Sequence, residues 1–151
     1  MIRATDTTAD LAEMLETLER VMPLFGKNNQ IGVTARPGVE DQISDALGWI
    51  PDGVEEAASS DVTVPFRGTV FERLLREMPF AFGRTRLMRM RPKSCLSIHA
   101  DPTRRYHFAI VTNSGCYIVE VTAENGVFQP TARLYEMDAH RTHTAMNSGN
   151  K

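Results

Sequence analysis

Apolar residues recur at helical spacing in two stretches of the chain and at every second position through most of its second half. Leu11, Met14, Leu15, Leu18 and Met22 keep helical spacing until Pro23, where a first helix has to stop. Thr7-Thr8-Ala9-Asp10 before it reads as a capping box, with a hydroxyl at the cap and a carboxylate three residues on. Ile31, Val33 and Ala35 alternate as in a short strand ended by Pro37-Gly38; a shorter helical stretch runs from Asp41 to Leu47, and 52–60 reads as loop. A further helix starts near Thr69, with Val70, Phe71, Leu74, Leu75 and Met78 on one face and Pro79 at its end.

From Gly83 onward the period is two. Segments 84–91, 94–101, 105–112, 115–122, 131–137 and 141–147 read as strands, punctuated by Pro92-Lys93, Asp101-Pro102, Asn113-Ser114-Gly115 and Asn125-Gly126. The last two suit hairpin turns, because Asn and Gly accept the positive backbone angles such turns need. The whole predicts one α+β domain over 1–151. A mainly helical N-terminal layer, 1–83, would pack on a sandwich or barrel of antiparallel strands, 84–151.

Composition narrows function by exclusion. Of 151 residues 42% are hydrophobic, enough for one sizeable core. Lys and Arg number 17 against 19 Asp and Glu, and this net charge of -2 argues against a chain that wraps nucleic acid or an anionic membrane. No apolar run approaches the length of a membrane span, and the first residues lack the apolar centre of a signal peptide, so a cytoplasmic location is expected. Cys95 and Cys116 are too few for a disulfide framework and are read as reduced thiols.

All four histidines, His99, His107, His140 and His143, fall in the strand-rich half. Alternation places His99 and Asp101 on one strand face with Cys95 and Ser97, so an imidazole and a carboxylate can approach one ion from the same side. His143, on the last strand, is the best third ligand; His140 is the alternative, although Asp138-Ala139-His140-Arg141 reads as a turn. Two histidines and a carboxylate are the facial triad of non-haem iron oxygenases, which leaves open positions for other ligands. Against this stands the structural reading, in which His-x-Asp arises from composition and each histidine is an ordinary hydrogen-bonded residue. Arg105 and His107 share a face of the next strand, and a guanidinium turned inward suits an anionic keto acid. A register shifted by one would turn Arg105 to solvent instead.

Arg86-Leu87-Met88-Arg89-Met90-Arg91-Pro92, His99-Ala100-Asp101 and Arg105-Tyr106-His107-Phe108-Ala109-Ile110-Val111-Thr112-Asn113 come in that order. Arg133-Leu134-Tyr135-Glu136-Met137-Asp138 and His143-Thr144-Ala145-Met146-Asn147-Ser148-Gly149 follow. Together, over about residues 84–149, they resemble the aspartyl/asparaginyl β-hydroxylase family of iron(II)- and 2-oxoglutarate-dependent oxygenases. The resemblance implies a double-stranded β-helix, a cupin-like jelly roll. It implies His99, Asp101 and His143 as iron ligands, with Arg105 and His107 contacting the co-substrate 2-oxoglutarate. It also implies use of dioxygen to hydroxylate an Asp- or Asn-like side chain, in a polypeptide or a free amino acid. The family's arginine for the far carboxylate of 2-oxoglutarate lies on a strand past the position of Lys151, so the core is expected to lack its last strand. Arg89, Arg91 and Lys151 are other cations for that role.

Two other classes compete. A non-catalytic cupin-like module would bind metal or ligand without turnover. A nucleic-acid-binding protein would use the basic stretch Arg84, Arg86, Arg89, Arg91, Lys93, Arg104 and Arg105, which the acidic balance of the whole chain disfavours and which reads more simply as solvated strand faces.

Overall fold

Asp10, not Thr7, opens the first helix. In the computed structural model, which describes residues 2–121, 126–128 and 131–150, the Asp10 carboxylate accepts from the amides of Ala12 and Glu13. The cap and its acidic partner are therefore Asp10 and Glu13, one turn later than the box read at Thr7. A carboxylate satisfies two of the amides a helix start leaves unpaired and also faces the positive end of its dipole. The elements in chain order are β1 (Ile2–Ala4), α1 (Leu11–Val21), β2 (Gln30–Gly32), β3 (Thr34–Ala35), α2 (Gln42–Asp45), β4 (Asp61–Val62) and α3 (Val70–Glu77). Seven strands follow: β5 (Arg86–Met88), β6 (Ser94–Cys95), β7 (Arg105–Phe108), β8 (Cys116–Glu120), β9 (Gly126–Phe128), β10 (Leu134–Met137) and β11 (His143–Asn147). This is an α+β protein with several antiparallel sheets. Among the described residues no helix is long and apolar enough to cross a membrane.

The chain forms two compact units, Ala9–Arg89 and Met1–Thr8 with Met90–Lys151. In the first, the helical unit, α1 lies on α3, burying Met14 and Val21 together with Val70, Phe71, Leu74 and Leu75. Thr69 caps α3 through the Phe71 amide, where the sequence places its start. Phe66, fully buried, meets the Phe71 ring edge-on at 5.4 Å. Two short ladders complete the unit, β2 with β5 and β3 with β4. The helical pattern over 41–47 yields only the single turn of α2, and the stretch read as loop holds a 3-10 turn at Glu56–Ala58. Strand β5, counted with the β core in the sequence reading, is hydrogen-bonded to β2 instead. Alternation marks a strand without naming its neighbour.

The second, the strand unit, holds two antiparallel sheets, ordered β1-β10-β7 and β6-β11-β8-β9. Asn113-Ser114-Gly115 does turn the chain: the Cys116 amide bonds the Asn113 carbonyl at 3.0 Å and the Gly115 amide bonds the Asn113 side chain at 2.7 Å. It does not close a hairpin, because β7 pairs with β10 while β8 pairs with β11 and β9. Of the other predicted hairpin turn, Asn125 lies outside the described residues, and Gly126 is already in β9 opposite Glu120. Residues directly opposite on antiparallel strands project to the same side. His143, Ala145 and Asn147 therefore share a face with Glu120, Ile118 and Cys116. Arg105 and His107 share one with Met137, Tyr135, Ile2 and Ala4. Ile118, Met137 and Ala139 form one buried cluster, with Ile2 and Ala145 packed on it, so these are the two inner faces.

Candidate metal centre

Strand β11 lies inside its sheet, and this fixes the first imidazole. His143 stands opposite Glu120 of β8 on one side. On the other it exchanges both backbone hydrogen bonds with His99, at 3.0 and 2.8 Å. The predicted strand 94–101 is thus regular only at β6 and at this bridge, which sets His99 beside His143 on the inner face. The ring centroids are 4.5 Å apart.

Each imidazole is oriented through its other nitrogen. His99 Nδ1 lies 2.7 Å from the Ser97 carbonyl and His143 Nδ1 lies 2.8 Å from the Arg141 carbonyl. A carbonyl only accepts, so both Nδ1 atoms carry a proton, the tautomer of a neutral imidazole that turns its Nε2 lone pair toward a cation. Asp101 follows two residues after His99, tied through its amide to the Ala139 carbonyl at 2.8 Å. Its Oδ2 lies 3.8 Å from His99 Nε2 and 3.7 Å from His143 Nε2. One ligand atom from each of the three residues falls within 4.8 Å of the others. His143 is buried, while the side chains of Asp101 and His99 are 23% and 37% exposed, so solvent reaches part of the group.

A divalent cation fits these donors. Two atoms that each bind one ion at about 2.1 Å lie no more than about 4.2 Å apart; both nitrogen-to-carboxylate distances are inside that limit, and the three donors together lie within 4.8 Å. Two neutral imidazoles and one carboxylate suit iron(II), manganese(II) or zinc(II). Burial pushes the Asp101 carboxyl up, but hydrogen bonding and charge from Arg105, helped by the two imidazoles, outweigh it and hold it below its ordinary value. The carboxylate is therefore ionised at neutral pH.

Arg105 grips that same carboxylate: Nε reaches Oδ2 and Nη2 reaches Oδ1, each at 3.1 Å. Its Nη1 donates to Thr103 Oγ1 at 2.6 Å. His107, two residues along β7, stands opposite Tyr135 on the inner face, half-buried. The structure so brings His99, Asp101, His143 and Arg105 into one group, with His107 further along the same face. His140 is exposed on the turn closed by the Arg141 amide and the Asp138 carbonyl, and it is not in the group. Glu120 and Arg141 escaped the sequence reading. Arg141 bonds the Glu120 carboxylate at 2.8 Å while its carbonyl orients His143. Only the pairing of β8 with β11 reveals this, although alternation had already put both strands on the map. The basic stretch is engaged locally: Arg84 bonds the Ala46 carbonyl, Arg89 the Asn29 side chain and Arg104 the Glu136 carboxylate. No family model matches the chain, and no curated protein sequence matches it.

Proposed function

We propose that the protein is an iron(II)- and 2-oxoglutarate-dependent oxygenase that hydroxylates an Asp- or Asn-like side chain, in a polypeptide or a free amino acid. The observation that carries this reading is the gathering of one ligand atom each from His99, Asp101 and His143 within 4.8 Å of one another. Ligands gathered on one side leave the opposite coordination positions for other molecules. Support for a double-stranded β-helix comes from the winding of the chain: β7 and β10 lie in one sheet, β8, β9 and β11 in the other. Arg105 and His107 on the inner face suit a keto-acid co-substrate, since a guanidinium binds a carboxylate through two parallel hydrogen bonds. Iron(II) at this site would supply the redox chemistry that couples decarboxylation of 2-oxoglutarate to succinate with insertion of one atom of dioxygen into a C–H bond. The chain's own part is to hold the ligand geometry, through the carbonyls of Ser97 and Arg141, and to place charge beside the co-substrate.

A second reading, a cupin-like module that binds metal and ligand without turnover, draws on the fork of Arg105 on Asp101, which occupies the cation that 2-oxoglutarate would need. Anaerobic titration with iron(II) and then 2-oxoglutarate, followed by assay of succinate release in air, separates the two. The oxygenase gives a 2-oxoglutarate-dependent visible charge-transfer band and succinate that rises with substrate. A band without succinate supports the module, and no band removes the oxygenase proposal.

A further inference from the structure

His143 takes its orientation from a carbonyl beyond the end of its strand. The ladder of β8 and β11 starts at Glu120 opposite His143, and the Val121 amide extends it with a bond to the Thr142 carbonyl at 2.7 Å. The Arg141 carbonyl, which accepts from His143 Nδ1 at 2.8 Å, lies one residue further out. Its residue is tied by the side chain: Arg141 Nη1 donates to Glu120 Oε1 at 2.8 Å, while the Arg141 amide closes the turn on the Asp138 carbonyl at 3.3 Å. The Glu120 side chain is 11% exposed, and a carboxylate so placed is costly without a cation, which makes the contact a lasting one. The other imidazole has a different support. Its acceptor, the Ser97 carbonyl, lies between Leu96 and His99, whose amides bond the Ala145 and His143 carbonyls of β11 at 2.9 and 3.0 Å.

We propose that Arg141 is a positioning residue for the metal centre: its side chain, anchored on Glu120, holds its own carbonyl on His143 Nδ1 and so keeps the His143 Nε2 lone pair toward Asp101. The inference rests on the reading of His99, Asp101 and His143 as metal ligands, and it gives a role to a side chain outside that set. The hydrogen bond at one imidazole nitrogen decides what the other nitrogen can do. A carbonyl that drifts from Nδ1 frees the ring to turn and lets the proton move to Nε2, where it blocks a metal. Charge alone works the opposite way. A guanidinium beside a cation site repels the cation, so its removal should tighten binding if the side chain did nothing else. The sign of the change therefore tells position from charge.

Manganese(II), followed by the electron paramagnetic resonance of the free ion, is the probe for affinity. Nitrogen-15 spectra of the metal-free protein in alkaline buffer tell a protonated ring nitrogen from one with a lone pair. Arg141→Met should bind manganese(II) about tenfold weaker than the wild-type chain, the low end of what losing a partner of a ligand costs. Its His143 should gain the form protonated at Nε2, while His99 stays unchanged. Arg141→Met combined with Glu120→Leu removes both charges of the pair, and apolar replacement of a buried pair is commonly tolerated. The double variant should show the same tenfold loss, where a pure charge effect would leave wild-type affinity; it carries the test if Arg141→Met does not fold. Equal or tighter binding by Arg141→Met, or wild-type affinity in the double variant, would overturn the proposal. So would a His143 spectrum that does not move, or a His99 spectrum that moves as far, the mark of a unit loosened throughout. Unchanged manganese(II) binding in His143→Gln would instead show that the metal site was misread, and the nitrogen-15 spectra would still decide whether Arg141 orients the ring. An intact site indifferent to Arg141 would leave the oxygenase reading standing.

Discussion

The two units bury polar side chains of different kinds. In the helical unit most are hydroxyls that bond backbone, beside the Asp45 carboxylate held by Arg36: Thr34 donates to the Gly83 carbonyl, Thr63 to Gly32 and Thr69 to Phe66, at 2.9, 2.9 and 2.7 Å. Around them the interior is apolar, from Met14 and Val21 to Ile31, Val33 and Phe66. In the strand unit the buried polar groups include Glu120, Glu136 and His143, beside a small apolar cluster at Ile118, Met137 and Ala139. A hydroxyl is satisfied by one carbonyl and never changes charge. A buried carboxylate or imidazole has to be met by a cation, a metal or an oriented carbonyl, and it weakens the core it occupies. The difference teaches where the interior holds groups that can change charge and where it does not.

The largest test of that contrast is Phe66→Ala. A fully buried phenylalanine in contact with Phe71 should cost about 3–5 kcal/mol. Denaturant unfolding followed by circular dichroism at 222 nm reports it, because α1, α2 and α3 all lie in the helical unit. A loss below about 1 kcal/mol would mean that this core is looser than its burial indicates. His143→Gln tests the other side. The variant keeps most of the volume and an N–H for the Arg141 carbonyl, so the metal-free protein should lose no more than about 1 kcal/mol. On the proposed metal reading, metal affinity should fall by at least about a hundredfold, since one of three donors is gone. A stability loss as large as that of Phe66→Ala would make His143 a core residue first, and the contrast between the units would break.

The acid limb of the stability curve sharpens the comparison. Hydrogen bonding from Arg3, opposed by burial and reinforced by Arg104, holds the Glu136 carboxyl below its ordinary range; hydrogen bonding from Arg36, again opposed by burial, does the same for Asp45. A carboxyl with a depressed folded pKa binds protons more readily when unfolded. Its stabilisation is complete above the unfolded value of about 4 and is lost as pH falls through the lower folded value. Stability should therefore be flat from neutrality to about pH 5 and fall below about pH 4. Trp49 lies in the helical unit, and Tyr106, Tyr117 and Tyr135 lie in the strand unit, so near-ultraviolet signals read the two separately. Glu136→Gln should make the tyrosine limb shallower, with Asp101 and Glu120 carrying the rest of it, and leave the tryptophan limb in place. An acid transition unmoved in both would remove Glu136 from the account.

What could be read from the chain follows the range of the interaction. α3 was legible because its cap, its apolar face and its stop at Pro79 are all within a few residues of one another. The shared face of His99 and Asp101 was legible for the same reason, being a matter of two residues on one strand. That His143 joins them depends on an antiparallel bridge spanning more than forty residues, which alternation suggests and pairing decides. β1 was missed because three residues carry too little alternation to register, and its partner β10 lies at the far end of the chain. The turn at Asn113 was read correctly as backbone chemistry and wrongly as a hairpin, since Asx and glycine geometry reverses the chain without choosing the sheet it enters next. Arg105 shows the limit most plainly. Its face was foreseeable, its pairing with Asp101 was not, because that anion is a side chain four residues back.

The smallest expected effect bears on the start of α1, where two residues compete for one role. Asp10 accepts from the Ala12 and Glu13 amides at 2.9 and 3.2 Å, so Asp10→Ala leaves both without a side-chain acceptor. The loss should be about 1 kcal/mol, typical of an N-cap carboxylate or hydroxyl, and a little less in high salt as the helix dipole is screened. Thr7→Ala should cost under about 0.5 kcal/mol, because Thr7 lies outside the helix and meets Thr5 through its own amide rather than its hydroxyl. Circular dichroism at 222 nm during urea unfolding resolves the two. Equal losses would return the cap to Thr7 and lengthen α1 by nearly a turn. A loss confined to Asp10 means that the helical unit begins where a carboxylate can reach two amides at once, a more demanding condition than the spacing of hydroxyl and acid along the chain.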